Sequence, residues 1–182
     1  MKRRRARLIR VFRSPLDHTR GRIVGPGIDL PCALGRSGPV TSKREGDGGT
    51  PRGRFTAIRA YYRPDRLSRP STSLPLTRID RGLGWSDDPG HRLYNRPVRL
   101  PVAAGHERMW REDALYDLVL DLSYNRRPVV PGRGSAIFLH VARPGLLPTE
   151  GCIAVHRQAI SRLVGSIGPG TVVAMGVTHR LR

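Results

Sequence analysis

The alternation of apolar and polar positions predicts a chain built from short strands. Leu8–Phe12 and Ile23–Leu34 are apolar-rich runs separated by a Gly/Arg turn, and both read as strands. Arg54–Tyr62 sets Phe55, Ala57 and Arg59 against Arg54, Thr56 and Ile58, the alternation of a half-buried strand. Ala114–Tyr124 alternates Leu115, Asp117, Val119 and Asp121 with Tyr116, Leu118, Leu120 and Leu122. Ser135–Ala142 follows as a central strand, and Thr171–Val177 is the last. Only Gln158–Ile167 carries a helical period: Ile160, Leu163, Val164 and Ile167 share one face, and Gly168-Pro169 stops the helix. Arg63–Arg111 is charged, weakly periodic and interrupted by Pro64, Pro70, Pro75, Pro89, Pro97 and Pro101. That predicts a long irregular insertion serving as a binding loop or lid. The pattern as a whole predicts a mainly β fold, a sandwich or barrel, with one packed helix and a Pro-rich lid.

Composition narrows this in three ways. The 182 residues fit one domain with a real core, with residues 1–19 as a basic segment carrying the first strand and 20–182 as the single domain. The 21 glycines and 16 prolines favour turns over long helices. The formal net charge of +19 makes the chain adhere to polyanions, a statement about association rather than fold. No run approaches the ~20 apolar residues of a spanning helix. Met1–Arg5 has the basic start of an export signal, but Ala6–Arg13 is too short and too often broken by arginine to follow it as an apolar region, so no signal peptide is legible. Lys2–Arg13 could serve as a phosphate-binding arm. Aromatic residues are sparse, however, and no helix-turn-helix, RRM or zinc pattern accompanies the arm, so a solvated basic face outweighs a nucleic-acid function.

The chemistry concentrates in Gly134–Val155. His140 ends the apolar run Ala136–Leu139, and Cys152 follows Gly151 and opens Ile153–Val155, with a Pro/Gly-rich loop between them. Two strands joined by such a loop bring residues twelve apart side by side. A free thiol titrates near pH ~8.5, so a nucleophilic cysteine needs a base, and imidazole is the usual one. Gly151 lets a substrate carbonyl approach the backbone, and the amides of Gly151, Cys152 and Ile153 are candidates for an oxyanion hole. The reaction class predicted is acyl transfer through a thioester. A metal site on Cys152, His156 and His140, perhaps with Cys32, competes poorly, because an extended Cys152–His156 separates those side chains by ~13 Å. Gly46–Gly53 lacks the Lys-Ser/Thr ending of a phosphate loop and suits a hairpin turn. Two cysteines make no disulfide framework.

These residues carry a resemblance. His140, Thr149, Gly151 and Cys152 resemble the signature of the L,D-transpeptidase catalytic domain (YkuD) family, an upstream His followed by Ser/Thr-His-Gly-Cys. Gly35–Phe55 resembles the same family's strand–turn–strand entry, with Thr50-Pro51 and Gly53–Phe55 matching its TPxGxF pattern. Trp85–Val98 and Pro131–Pro144 are similar to a branch common in Gram-negative bacteria, and the likeness runs from about Ile23 to Val177. Two departures stand out: Glu150 occupies the place of the family's second His, and Ala154 that of an Asn or Arg.

The resemblance implies a bacterial cell-wall enzyme with Cys152 as nucleophile, His140 as general base, and Thr149 orienting His140 or the substrate. It implies no metal or organic cofactor, a peptidoglycan stem peptide as partner, and a place in the cell envelope, where the charge could hold the protein on an anionic surface. Arg36 and Arg133, beside glycines in the two motifs, are candidates for the stem carboxylates. Tyr94, Asn95 and Glu150 complete the candidate substrate contacts. The acceptor stays open between an amine and water, that is, between a transpeptidase and an L,D-carboxypeptidase-type hydrolase. Outside the enzymes, the alternative is a basic polyanion-binding protein on the same fold.

Overall fold

The computed structural model describes residues 6–176. Eight strands account for most of the order: β1 (Leu8–Arg13), β2 (Arg20–Gly25), β3 (Ile28–Ala33), β4 (Gly53–Tyr62), β5 (Leu118–Leu122), β6 (Phe138–Val141), β7 (Ile153–Val155) and β8 (Val172–Met175). They pair in the order β5-β6-β7-β3-β2-β1-β8-β4, and β4 pairs back onto β5, so the sheet closes into a barrel. Closure removes the free edges that an open sheet of such short strands would expose. Two pairings are parallel, β1–β8 and β6–β7; the other pairings around the ring are antiparallel.

The one helix, α1, spans Arg157–Ser166 and buries Ile160, Leu163 and Val164, the face its period predicts. Those residues join Leu118, Leu120, Leu139, Val141, Ile153 and Val155 in the principal core. Ile23–Leu34, expected as one strand, is a hairpin, because Pro26-Gly27 turns the chain with Gly27 at φ +67°. The first strand is no appendage, since β1 lies between β2 and β8 in the ring. Val177, expected within the last strand, lies outside the described residues.

Two expectations about local structure need correction. Ala114–Tyr124 is strand only over Leu118–Leu122, and all five of those residues are buried. Its alternation separates two cores rather than core from solvent: Leu118, Leu120 and Leu122 enter the principal core, while Val119 enters a second one. Arg63–Arg111 is irregular only in part, for it contains short strands. Leu83–Ser86 is the middle strand of a small antiparallel sheet flanked by Pro97–Arg99 and His106–Arg108. Strands of three or four residues are too short to print a period, and Pro97 sits on an edge strand, where a missing N–H costs no ladder bond. The segment builds its own core from Ile79, Leu83, Trp85 and Met109 against Tyr61, Val119 and Phe138 of the barrel. Trp85 is central, with edge-to-face contacts to Tyr61 and Phe138.

Asp121, 2% exposed, projects from β5 and is paired with the buried Arg126. Burial pushes its carboxyl up to about 6, Arg126 offsetting only part of the desolvation. The folded state therefore holds this proton at pH values where the unfolded chain, near ~3.9, has released it. Stability from this group is fully present below pH ~4 and is lost as pH rises towards about 6. In urea titrations between pH 3.5 and 7, wild type is expected to lose up to ~3 kcal/mol relative to Asp121→Asn. Parallel pH profiles for the two proteins would refute this assignment.

Candidate active site

The site follows from the register of β6 and β7, which run parallel with Leu139 opposite Ile153, His140 opposite Ala154 and Val141 opposite Val155. Facing residues of a parallel pair share a face, and successive residues alternate between faces. Leu139, Val141, Ile153 and Val155 go into the principal core. Phe138, His140 and Cys152 take the other face, towards the second core. There His140 and Cys152 border one cavity of about 570 Å³, together with Glu107, Arg111, Tyr116 and Thr149.

Cys152 is held in a resting position. Its Sγ donates to the Ala136 carbonyl at 3.2 Å and accepts the Phe138 N–H at 3.4 Å. Burial pushes the thiol up to about 12, and the nearby Glu107 adds to the shift. His140 places Nδ1 2.7 Å from the Val141 carbonyl, which requires the proton on Nδ1 and leaves Nε2 free to accept one. Its ring meets the Tyr116 ring edge-on at 5.3 Å. Burial pushes the imidazole down to about 4, with Arg111 and Arg143 acting in the same direction. At neutral pH both partners are therefore uncharged, and among the described residues no hydrogen bond joins them. The arrangement suits proton transfer at the moment of attack rather than a standing thiolate–imidazolium pair.

The backbone around the sulfur is clamped by two threonines. Thr149 Oγ1 donates to the Cys152 carbonyl at 2.7 Å and accepts the Gly151 N–H at 3.2 Å. Thr50 Oγ1 accepts the Gly35 N–H at 2.8 Å and makes a longer contact, 3.5 Å, to the same Cys152 carbonyl. Thr149 is itself laced to the other loop through Leu34 O and Arg36 N–H. Thr149 thus orients the cysteine's backbone rather than His140. Gly151, at φ +128°, is required for a different approach from the one expected: a Cβ there would stand 2.7 Å from the Gly49 carbonyl. Of the three amides proposed for an oxyanion hole, Gly151 N–H is given to Thr149 and Ile153 lies in the strand ladder. That leaves Cys152 N–H as the remaining candidate of the three.

The matching family model, the L,D-transpeptidase catalytic domain, spans residues 19–175. The chain belongs to the L,D-transpeptidase catalytic-domain (YkuD) family. Among solved structures, the crystal structure of Mycobacterium tuberculosis L,D-transpeptidase 1 at 1.89 Å is similar at 11% identity and a TM-score of 0.39, covering 94% of this chain. The chain spans 62% of the length of that protein. No curated protein matches the sequence.

Against the YkuD pattern, Glu150, in the place of the second histidine, turns to the rim. It is 76% exposed and bonded at 2.8 Å to Arg36 Nε, so it is no proton acceptor for His140. Arg36 spends a second donor on Gly46 O, at 2.9 Å. Neither Arg36 nor Arg133 lines the cavity; the arginines that do are Arg108, Arg111 and Arg143. Tyr94 is buried, its hydroxyl bonded to Glu45. Asn95 is 2% exposed and fully engaged: its Oδ1 accepts Trp85 Nε1–H and Ala136 N–H, each at 3.1 Å, and its Nδ2 donates to Tyr124 O and Asn125 O. Tyr94 and Asn95 are therefore framework, not substrate contacts. Asn95 nonetheless bears on the chemistry, since Ala136, which it fixes, accepts the thiol proton bond. Cys32 and Cys152 are both free, and among the described residues no group of three His, Cys, Asp or Glu side chains could share a metal ion.

Sequence reasoning missed Glu107, Arg111 and Tyr116. Tyr116 donates to Glu107 at 2.6 Å, and Arg111 lies 3.9 Å from the same carboxylate. Glu107 and Arg111 fall in the segment expected to be irregular, and nothing in their linear spacing announces a cavity wall.

Two outcomes test this geometry. Alkylation of Cys152 by iodoacetamide should accelerate steadily from pH 6 to 10, because a thiol at about 12 keeps gaining thiolate throughout that range. A plateau below pH 7 would instead reveal a standing ion pair. Asn95→Ala should cost about 2–3 kcal/mol in urea unfolding by orphaning buried donors, whereas Arg133→Ala should stay within ~0.5 kcal/mol.

Proposed function

We propose that this protein is an L,D-transpeptidase that acts on peptidoglycan stem peptides through a Cys152 thioester. The observation that carries the reading is the shared cavity of His140 and Cys152, set by the β6–β7 register within the family-matched segment. The cavity wall holds charges of both signs, Arg108, Arg111 and Arg143 with Glu45, Asp87, Glu107 and Glu150, which fits a peptide bearing carboxylates and a free amine.

In the proposed cycle a tetrapeptide stem enters with the carbonyl of its third residue, the L-centre of diaminopimelate, at Cys152. The thiol gives its proton to Nε2 of His140 as sulfur attacks, forming the C–S bond. The Cys152 N–H supports the oxyanion. Collapse breaks the peptide bond, and His140 returns the proton to the departing D-alanine amine. An amine from a second stem then attacks the thioester, giving a 3–3 crosslink and restoring the thiol. Water in that place gives the hydrolase outcome. This reading locates the protein in the cell envelope.

The test is intact mass spectrometry of wild type and Cys152→Ala after incubation with a disaccharide tetrapeptide and, separately, a carbapenem. The expected result is D-alanine release and a carbapenem adduct in wild type alone. Crosslinked dimer among the products identifies a transpeptidase, and tripeptide alone a hydrolase. Folded, reduced wild type that shows neither adduct nor D-alanine would overturn the thioester reading.

A further inference from the structure

A second depression lies apart from the cysteine cavity and shares no lining residue with it. This groove, of about 1010 Å³, is bordered by His91, Arg92, Arg96, Arg126 and Arg127, and no carboxylate lines it. Leu93 and Val129 give it an apolar flank. Four guanidiniums thus gather where Asp121, beneath the groove, is the single acid bonded to any of them among the described residues. Arg126 is 8% exposed, divides its terminal nitrogens between Asp121 and Asn95 O, and leaves a buried Nε without a partner among the described residues. Arg96 spends one nitrogen on Arg126 O, at 2.9 Å, and has no acidic partner of its own.

We infer that this groove is an anion site that takes a phosphate group carried by a larger molecule. Arg126 is buried and Arg96 half-buried, with the exposed Arg92 and Arg127 beside them, and like charges gathered around partly buried ones destabilise the fold unless something balances them. Consistent with that, burial and then the charges of Arg126 and Arg127 push the Arg96 guanidinium down. A carboxylate would cancel one charge, while a phosphate offers up to two charges and several acceptor oxygens to forked donors. The open groove and its apolar flank leave room for the remainder of the ligand. A soluble phosphate ester and a lipid headgroup share this chemistry, and the test separates them.

The full chain would be titrated with inorganic pyrophosphate at fixed ionic strength by calorimetry, and sedimented with phosphatidylglycerol or phosphatidylcholine vesicles. The groove set Arg92→Gln, Arg96→Gln and Arg127→Gln would be compared with Arg10→Gln, Arg54→Gln and Arg78→Gln, which removes equal charge from exposed positions elsewhere. The expected result is at least tenfold weaker binding in the groove set and less than threefold in the control set. Pyrophosphate binding with that pattern identifies a soluble phosphate ligand; the pattern with phosphatidylglycerol vesicles alone identifies a headgroup. Equal losses in both sets, or no loss in either, would overturn the proposal. Arg127→Gln alone, at an exposed position, keeps the test decisive should the triple variant unfold. Cys152→Ala should bind like wild type, which separates this result from the thioester reading.

Discussion

Everything at the cysteine site depends on the pairing of β6 with β7. A strand that slips by one residue exchanges its two faces, so the slip of β7 that would bury Cys152 in the principal core would drive Ile153 and Val155 towards the cavity face. The apolar face prevents this. Leu139, Ile153 and Val155 are fully buried and Val141 nearly so, and each such side chain contributes roughly 1.5–3 kcal/mol when removed from water. The chemistry of one face is thus held in place by the hydrophobicity of the other. The threonine clamps extend this logic to the loop before β7, where no ladder exists to fix the backbone.

Burial gives the site its electrostatic character. A thiol raised and an imidazole lowered, both chiefly by desolvation, produce a neutral pair that gains little from ionising before substrate arrives. Such a thiol is protected from adventitious oxidation, because thiolate is the reactive form. Any reaction at this sulfur must first displace its bond to the Ala136 carbonyl. Glu107, held by Tyr116 and Arg111, disfavours thiolate when ionised, and burial raises its own carboxyl as well.

The helix, the long β4 strand and the His140–Cys152 pairing were legible because each rests on local periodicity or on residues close in sequence. What escaped is non-local. Asn95 reads in sequence as a candidate substrate contact beside Tyr94, yet it bonds to Trp85, Tyr124, Asn125 and Ala136, partners ten to forty-one positions away. Gly151 was expected to admit a substrate carbonyl, whereas the carbonyl packed against it belongs to Gly49, a residue of the other motif. The arginines by the glycines were plausible anion binders, but one is spent on Glu150 and the other stands away from the cavity.

The segment that prints the weakest pattern does the most to define the molecule. Residues 63–111 bury Trp85 against Phe138, whose N–H reaches the sulfur, and supply Glu107 and Arg111 to the cavity. The same segment carries Arg96 and Asn95 to Arg126, whose guanidinium also stacks 4.6 Å from the Trp85 ring. Arg126 and Asn95 therefore stand between the arginine groove and Ala136, the residue that holds the thiol at rest. The barrel brings His140 and Cys152 to one cavity. The inserted segment decides what surrounds them, through Glu107, Arg111 and the contact of Trp85 with Phe138.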